Sequence, residues 1–142
     1  MNKGAVQLVP QISFVIALAA TLGSLYFGEV LKYPPCTLCW YQRICMYPLV
    51  VIFMSALWTD DRRFLKYSLP LSAIGFVIAS YHILLYYGIL SESIVPCSQG
   101  VSCTTKQIEI FGFLTIPLMS WVSFLVINAL GLAGVFLKEE RK

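Results

Sequence analysis

The sequence predicts an all-α integral membrane protein, a bundle of four transmembrane helices with both termini cytoplasmic. Three observations lead there. Of the 142 residues, 58% are hydrophobic and only 12% are charged, where a soluble domain carries roughly a quarter charged. Four apolar stretches approach the roughly 20 residues that cross about 30 Å of hydrocarbon. Lysine and arginine crowd the connections on one side of those stretches and are sparse on the other.

The first span covers residues 11–27, "QISFVIALAATLGSLYF". A cleaved signal peptide is the alternative, but a single Lys3 precedes it and its apolar run exceeds the usual length. The second span covers residues 39–58 and is interrupted by Arg43. The third covers residues 67–90 and the fourth residues 110–137. Lipid offers no partner to an open backbone group, so all four must be helical. Pro48 and Pro117 fall inside spans, where neighbouring helices tolerate a kink. Ala19/Gly23, Gly75/Ala79 and Ala129/Ala133 are small-residue pairs that would let helices approach closely.

Sidedness follows from the connections. Lys3, Arg62, Arg63, Lys66, Lys138, Arg141 and Lys142 lie on one side, and Lys32, Arg43 and Lys106 on or near the other. The richer side is cytoplasmic by the positive-inside tendency. Segments 28–38 and 91–109 then face outward, and with them Cys36, Cys39, Cys97 and Cys103, on the side where disulfides persist. The whole chain, residues 1–142, reads as one membrane domain. Its net charge of +3 is spread without a basic patch, so no nucleic acid is expected as a partner.

The stretch "PPCTLCWYQRIC", residues 34–45, carries the chemistry. Pro34 and Pro35 stop any helix from running backwards. Cys36 then falls near the N-cap of the second span and Cys39 in its first turn. Positions 36, 39 and 43 share a helix face, so a thiolate there gains from the helix end and from the Arg43 guanidinium. Two unit charges about 6 Å apart at an effective dielectric near 20 attract by roughly 3 kcal/mol, enough to make a thiol largely thiolate at neutral pH. The alternative is a structural disulfide with Arg43 reaching outward to the headgroups. A Cys-x-x-Cys loop closes very little chain, however, and stabilises little as a staple. Redox work suits it better. Cys45, deeper in the span, reads as a small apolar filler.

The outer loop "SESIVPCSQGVSCTTKQ" holds Cys97 and Cys103, close enough to pair and open to a thiol from another protein. Its alternative is a plain loop clip. Zinc is the other use of four cysteines, but it requires both pairs to stay reduced in an oxidising compartment, so no metal is expected. His82, the single histidine, lies inside the third span, where ionisable groups usually mark a site. A histidine bonding a neighbouring helix is the bland alternative.

The run Pro35-Cys36-x-Leu38-Cys39-x-Tyr41-x-Arg43, a second outward cysteine pair, a histidine before that pair and four spans together resemble the DsbB family of disulfide-bond formation proteins. "CWYQRICMYPLV" and "FGFLTIP" look most like its short Gram-positive, BdbC-type branch. The resemblance implies a thiol:quinone oxidoreductase of the bacterial cytoplasmic membrane that reoxidises an extracytoplasmic thioredoxin-like disulfide oxidase. It implies ubiquinone or menaquinone as acceptor, without saying which. By this resemblance Cys36 exchanges with the loop, Cys39 is the thiolate facing the quinone, and Arg43 and His82 belong to the quinone site. Cys97 and Cys103 form the loop disulfide, with Cys97 joining the partner. In better-known members the loop cysteines stand much farther apart than the five intervening residues here. Two other readings fit less well. Vitamin K epoxide reductase-like proteins place the Cys-x-x-Cys after the loop pair rather than before it. A non-enzymatic membrane subunit would use its disulfides only as clips.

Overall fold

Each of the four apolar stretches is a helix. The computed structural model describes residues 3–59, 63–90, 103, 109–110 and 114–139. Helix α1 spans Lys3–Leu25 and continues into a π-helical turn at Tyr26–Val30. Helices α2 (Thr37–Thr59), α3 (Phe64–Tyr86) and α4 (Ile116–Glu139) follow, with two short antiparallel strands, β1 (Glu109–Ile110) and β2 (Leu114–Thr115), before α4. All four helices are long and apolar enough to cross a membrane; the 23 residues of α2 extend about 35 Å. Cys97, Arg62, Lys106, Arg141 and Lys142 lie outside the described residues.

The helices close a four-sided bundle in which α1 and α3 each pack on both α2 and α4. Phe53, Phe124, Leu49 and Ile127 are fully buried at its centre. Equally apolar residues point outward, among them Val51, Val77 and Phe136. Lipid gives no preference for a leucine inside over one outside, so close packing and interhelical hydrogen bonds hold such a bundle together. Both are present between α3 and α4. Ser72 Oγ donates to Asn128 Oδ1 at 3.0 Å and Trp121 Nε1 donates to Ser80 Oγ at 3.0 Å.

The small-residue pairs divide into three outcomes. Gly75 and Ala79 are buried at the α3–α4 contact, where a Cβ on Gly75 would run into the Phe124 ring. Ala19 and Gly23 make no close approach and instead line a cavity. Ala129 and Ala133 face outward, and Gly131 and Gly134 meet Leu69 and Leu65 in their place.

The fourth span departs from expectation at its start. The helix begins at Ile116 rather than at residue 110, because the preceding residues pair as β1 and β2. Pro117 consequently sits in the first helical turn, where its missing N–H has no partner to lose, and no kink is needed. Pro48 does lie inside α2, as expected.

Candidate functional site

The chain reverses between α1 and α2 over a few residues. Lys32 adopts a left-handed backbone (φ 57°), a conformation costing a non-glycine residue roughly 1–2 kcal/mol. The Tyr33 N–H then returns to Phe27 O at 3.1 Å. Pro34 and Pro35 deliver Cys36 to the head of α2 as its N-cap: Cys36 O accepts the first helical bond from Trp40 N at 3.1 Å. The Cys36 sulfur accepts the Cys39 backbone N–H at 3.4 Å, the capping bond a serine oxygen makes elsewhere.

The Cys-x-x-Cys pair is reduced, with its sulfurs 2.7 Å apart against about 2.05 Å in a disulfide. Donors converge on Cys36. The Cys39 S–H donates to it, and His82 Nε2 lies 3.8 Å from its sulfur. These contacts hold the Cys36 thiol far below its ordinary range, at about 4, with Cys39 contributing most and burial opposing. The sequence expectation put the anion on Cys39, with Cys36, Cys39 and Arg43 on one face. The structure keeps the two sulfurs in contact and brings that of Cys36 to His82 of α3 as well. Cys36 is the N-cap rather than a helical residue, so the helical repeat does not govern it, and its sulfur packs toward α3.

Two different surroundings result. On the α3 side, Cys36 shares a buried cluster with Leu38, Leu85 and Cys103. Cys103 is 3% exposed and disulfide-bonded. His82, 2% exposed, joins Cys36 from α3, and its Nδ1 meets Gln42 Nε2 at 3.0 Å. On the other side, α1, α2 and α4 enclose a cavity of about 480 Å³, within the roughly 300–1,000 Å³ of small-molecule sites. Cys39, Gln42, Arg43 and Tyr47 contribute to its wall, opposite Ala19, Ala20 and Gly23 of α1 and Met119 of α4. His82 is not among the lining residues.

Arg43 is held in that wall. Its Nη2 donates to Ser24 O at 2.9 Å, and the guanidinium lies 5.5 Å from the centre of the Trp40 ring. The group packs against Gly28, where a Cβ would stand 3.0 Å from Nη2. The π-helical turn holds Gly28 at this contact, and such turns gather at functional sites. Cys45 is buried in the apolar core with Met46 and Leu49. Cys36, Cys39 and His82 offer three metal-ligating atoms within 4.8 Å of one another, the closeness that thiol exchange also requires. Gln42 was not singled out from the sequence; an uncharged polar residue inside an apolar span was the signal available.

The sequence model of the family described as "Disulfide bond formation protein DsbB" matches residues 7–134. The chain is 48% identical over 115 residues to "Disulfide bond formation protein C" of Bacillus subtilis (strain 168), covering 81% of this chain and 83% of the relative. It is 40% identical over 131 residues to "Probable disulfide formation protein C 2" of Bacillus cereus, covering 92% and 91%. A "Probable disulfide formation protein" of Metapseudomonas resinovorans is 38% identical over 120 residues, covering 84% and 83%. No solved structure matches. The family match runs from α1 into α4, and the similarity to named relatives extends over at least four-fifths of both chains. The protein belongs to the DsbB family of disulfide bond formation proteins, multi-pass membrane oxidoreductases.

Proposed function

We propose that this protein is a thiol:quinone oxidoreductase that reoxidises an extracytoplasmic thioredoxin-like disulfide oxidase and passes the electrons to ubiquinone or menaquinone. In this reading the termini are cytoplasmic, the membrane is the bacterial cell membrane, and the cysteines face outward. One observation carries it: Cys36 is packed with a disulfide-bonded loop cysteine while Cys39, three residues on, lines an apolar cavity beside a guanidinium. Electrons entering through one sulfur therefore have a separate exit through the other.

The reaction balances in three exchanges. The partner's dithiol attacks the loop disulfide, proposed to join Cys97 and Cys103, and leaves as a disulfide. A loop thiolate attacks Cys36 in the oxidised Cys36–Cys39 pair and expels Cys39 as the thiolate. Re-forming the loop disulfide releases Cys36, and the reduced pair then closes again, giving up two electrons and two protons. A quinone bound in the cavity would supply the two-electron, two-proton acceptor. The wall suits it, being mostly apolar with a few polar side chains among the residues that line it. Arg43 would hold negative charge developing on an acceptor oxygen, and its bond to Ser24 O fixes it in place beforehand, the condition under which such donors act most strongly.

The test is reconstitution in lipid vesicles with ubiquinone or menaquinone and a reduced thioredoxin-like protein, following quinone absorbance. One quinone reduced per dithiol oxidised is expected. Dithiol oxidation without quinone reduction, or neither, would overturn the reading.

A further inference from the structure

Gln42 stands between the two surroundings, lining the cavity and bonding His82. Gln42, His82 and Cys36 are 6%, 2% and 5% exposed, so each polar atom must find its partner within the protein. A side-chain amide nitrogen can only donate. Gln42 Nε2 at 3.0 Å therefore makes His82 Nδ1 the acceptor and leaves the proton of a neutral ring on Nε2. That is the nitrogen 3.8 Å from the Cys36 sulfur.

We propose that Gln42 is a positioning residue that holds His82 as the neutral Nε2–H tautomer, so that His82 donates to the Cys36 sulfur and makes it the departing thiolate when its disulfide with the loop is resolved. This rests on the exchange order proposed above. In that step one loop sulfur attacks the other, the bond from the loop to Cys36 breaks, and its electron pair stays on Cys36 Sγ. No oxidant enters. His82 keeps its proton and stabilises the new anion through the hydrogen bond alone. A better leaving thiolate departs faster. His82 thus serves sulfur exchange from the α3 side and not the acceptor in the cavity.

Among the described residues, the titratable groups around Cys36 are Cys39 on α2 and His82 and Tyr81 on α3. Cys103 packs there too but is disulfide-bonded and does not titrate.

Because the chain has a single histidine, labelling with ¹⁵N-histidine gives one ring to observe. In the reduced full-length protein in lipid nanodiscs, NMR should show Nδ1 unprotonated and Nε2 protonated. Peptide-resolved alkylation should show Gln42→Leu and His82→Ala moving the Cys36 reactivity midpoint upward by about one pH unit, a tenfold loss of thiolate on the acid side. Gln42→Glu, which accepts from Nδ1–H and favours a charged ring, should restore the wild-type midpoint or lower it. A wild-type ring protonated at Nδ1, or a Cys36 profile unmoved by Gln42→Leu, would overturn the proposal. The wild-type spectrum decides the tautomer even where a variant fails to fold. Neither readout needs quinone or partner. Failed reconstitution with an intact tautomer and profile would therefore remove the oxidoreductase reading, and the reverse would remove this one.

Discussion

The two sides of α2 at its N-terminal end are built on different principles. Toward α3, Cys36 sits in a buried cluster with Leu38, Leu85 and Cys103, and His82 approaches its sulfur. Toward α1 and α4, Cys39 and Arg43 border a roomy apolar cavity kept open by Ala19, Ala20 and Gly23. A packed site suits sulfur exchange, because the reacting sulfurs must approach in line and the anion needs a donor already in place. An open apolar site suits a lipid-soluble molecule that must enter and leave. Three residues of sequence separate the two, and the sulfurs stay in contact at 2.7 Å while Cys36 also meets His82 and Cys39 also borders the cavity.

The comparison breaks most completely at the sulfurs themselves. Cys36→Ala and Cys39→Ala should each abolish turnover, but differently. Without Cys39, Cys36 can still form a disulfide with the loop; without Cys36, the loop has no sulfur to meet on α2. Non-reducing mass mapping distinguishes them. Arg43→Ala should come next, slowing acceptor reduction by about 10²–10³-fold, as loss of one preorganised donor does, while exchange between the loop and Cys36 continues. Separate half-reaction kinetics check this; equal slowing of both halves would erase the division.

Acidity sharpens the contrast further. The Cys36 thiol is lowered to about 4, so in the folded, reduced protein the thiolate is present at neutral pH and is lost only as pH falls through that value. Cys36 alkylation should therefore stay nearly flat from neutral into the mildly acid range. The stability linked to this thiolate should be lost on the same descent, since the unfolded thiol binds its proton at much higher pH. Chemical denaturation of the reduced protein against pH measures that slope.

Two glycines give the smallest expected effects and localise them. Gly75→Val should destabilise the α3–α4 contact by about 1–3 kcal/mol through overpacking against Phe124, measurable by unfolding in detergent, with the Cys36 pH profile unchanged. Gly28→Ala should shift the Arg43 guanidinium by a few tenths of an ångström. The expected result is a change of a few-fold in acceptor reduction, with thiol exchange intact.

Much of this was legible in the chain because membrane helices announce themselves by length and composition. The Cys-x-x-Cys pair, Arg43 and His82 were legible because reactive or charged groups are rare in apolar spans. What periodicity could not give was direction at a helix end. Cys36 falls on the Arg43 face only by a helical repeat that does not extend to an N-cap, whereas the thiolate at Cys39 is what the family resemblance implies. His82 was grouped with the cavity, whereas α3 presents it to Cys36 behind the cavity wall. Gln42 escaped notice because its role depends on a partner 40 positions away. Similarly, Pro117 looked like an interior kink until the β1–β2 pairing moved the start of α4 to Ile116.

The claim beneath all of this is that Cys36, and not Cys39, is the sulfur that meets the loop. Disulfide mapping of the Cys39→Ala protein, quenched at acid pH with no dithiol added, tests it most directly: the Cys36 thiolate attacks the loop disulfide at Cys103 and expels Cys97 as the thiolate. A Cys36–Cys103 linkage is the predicted product. A linkage from Cys36 to Cys97, or a loop disulfide left intact beside a free Cys36, would contradict the account.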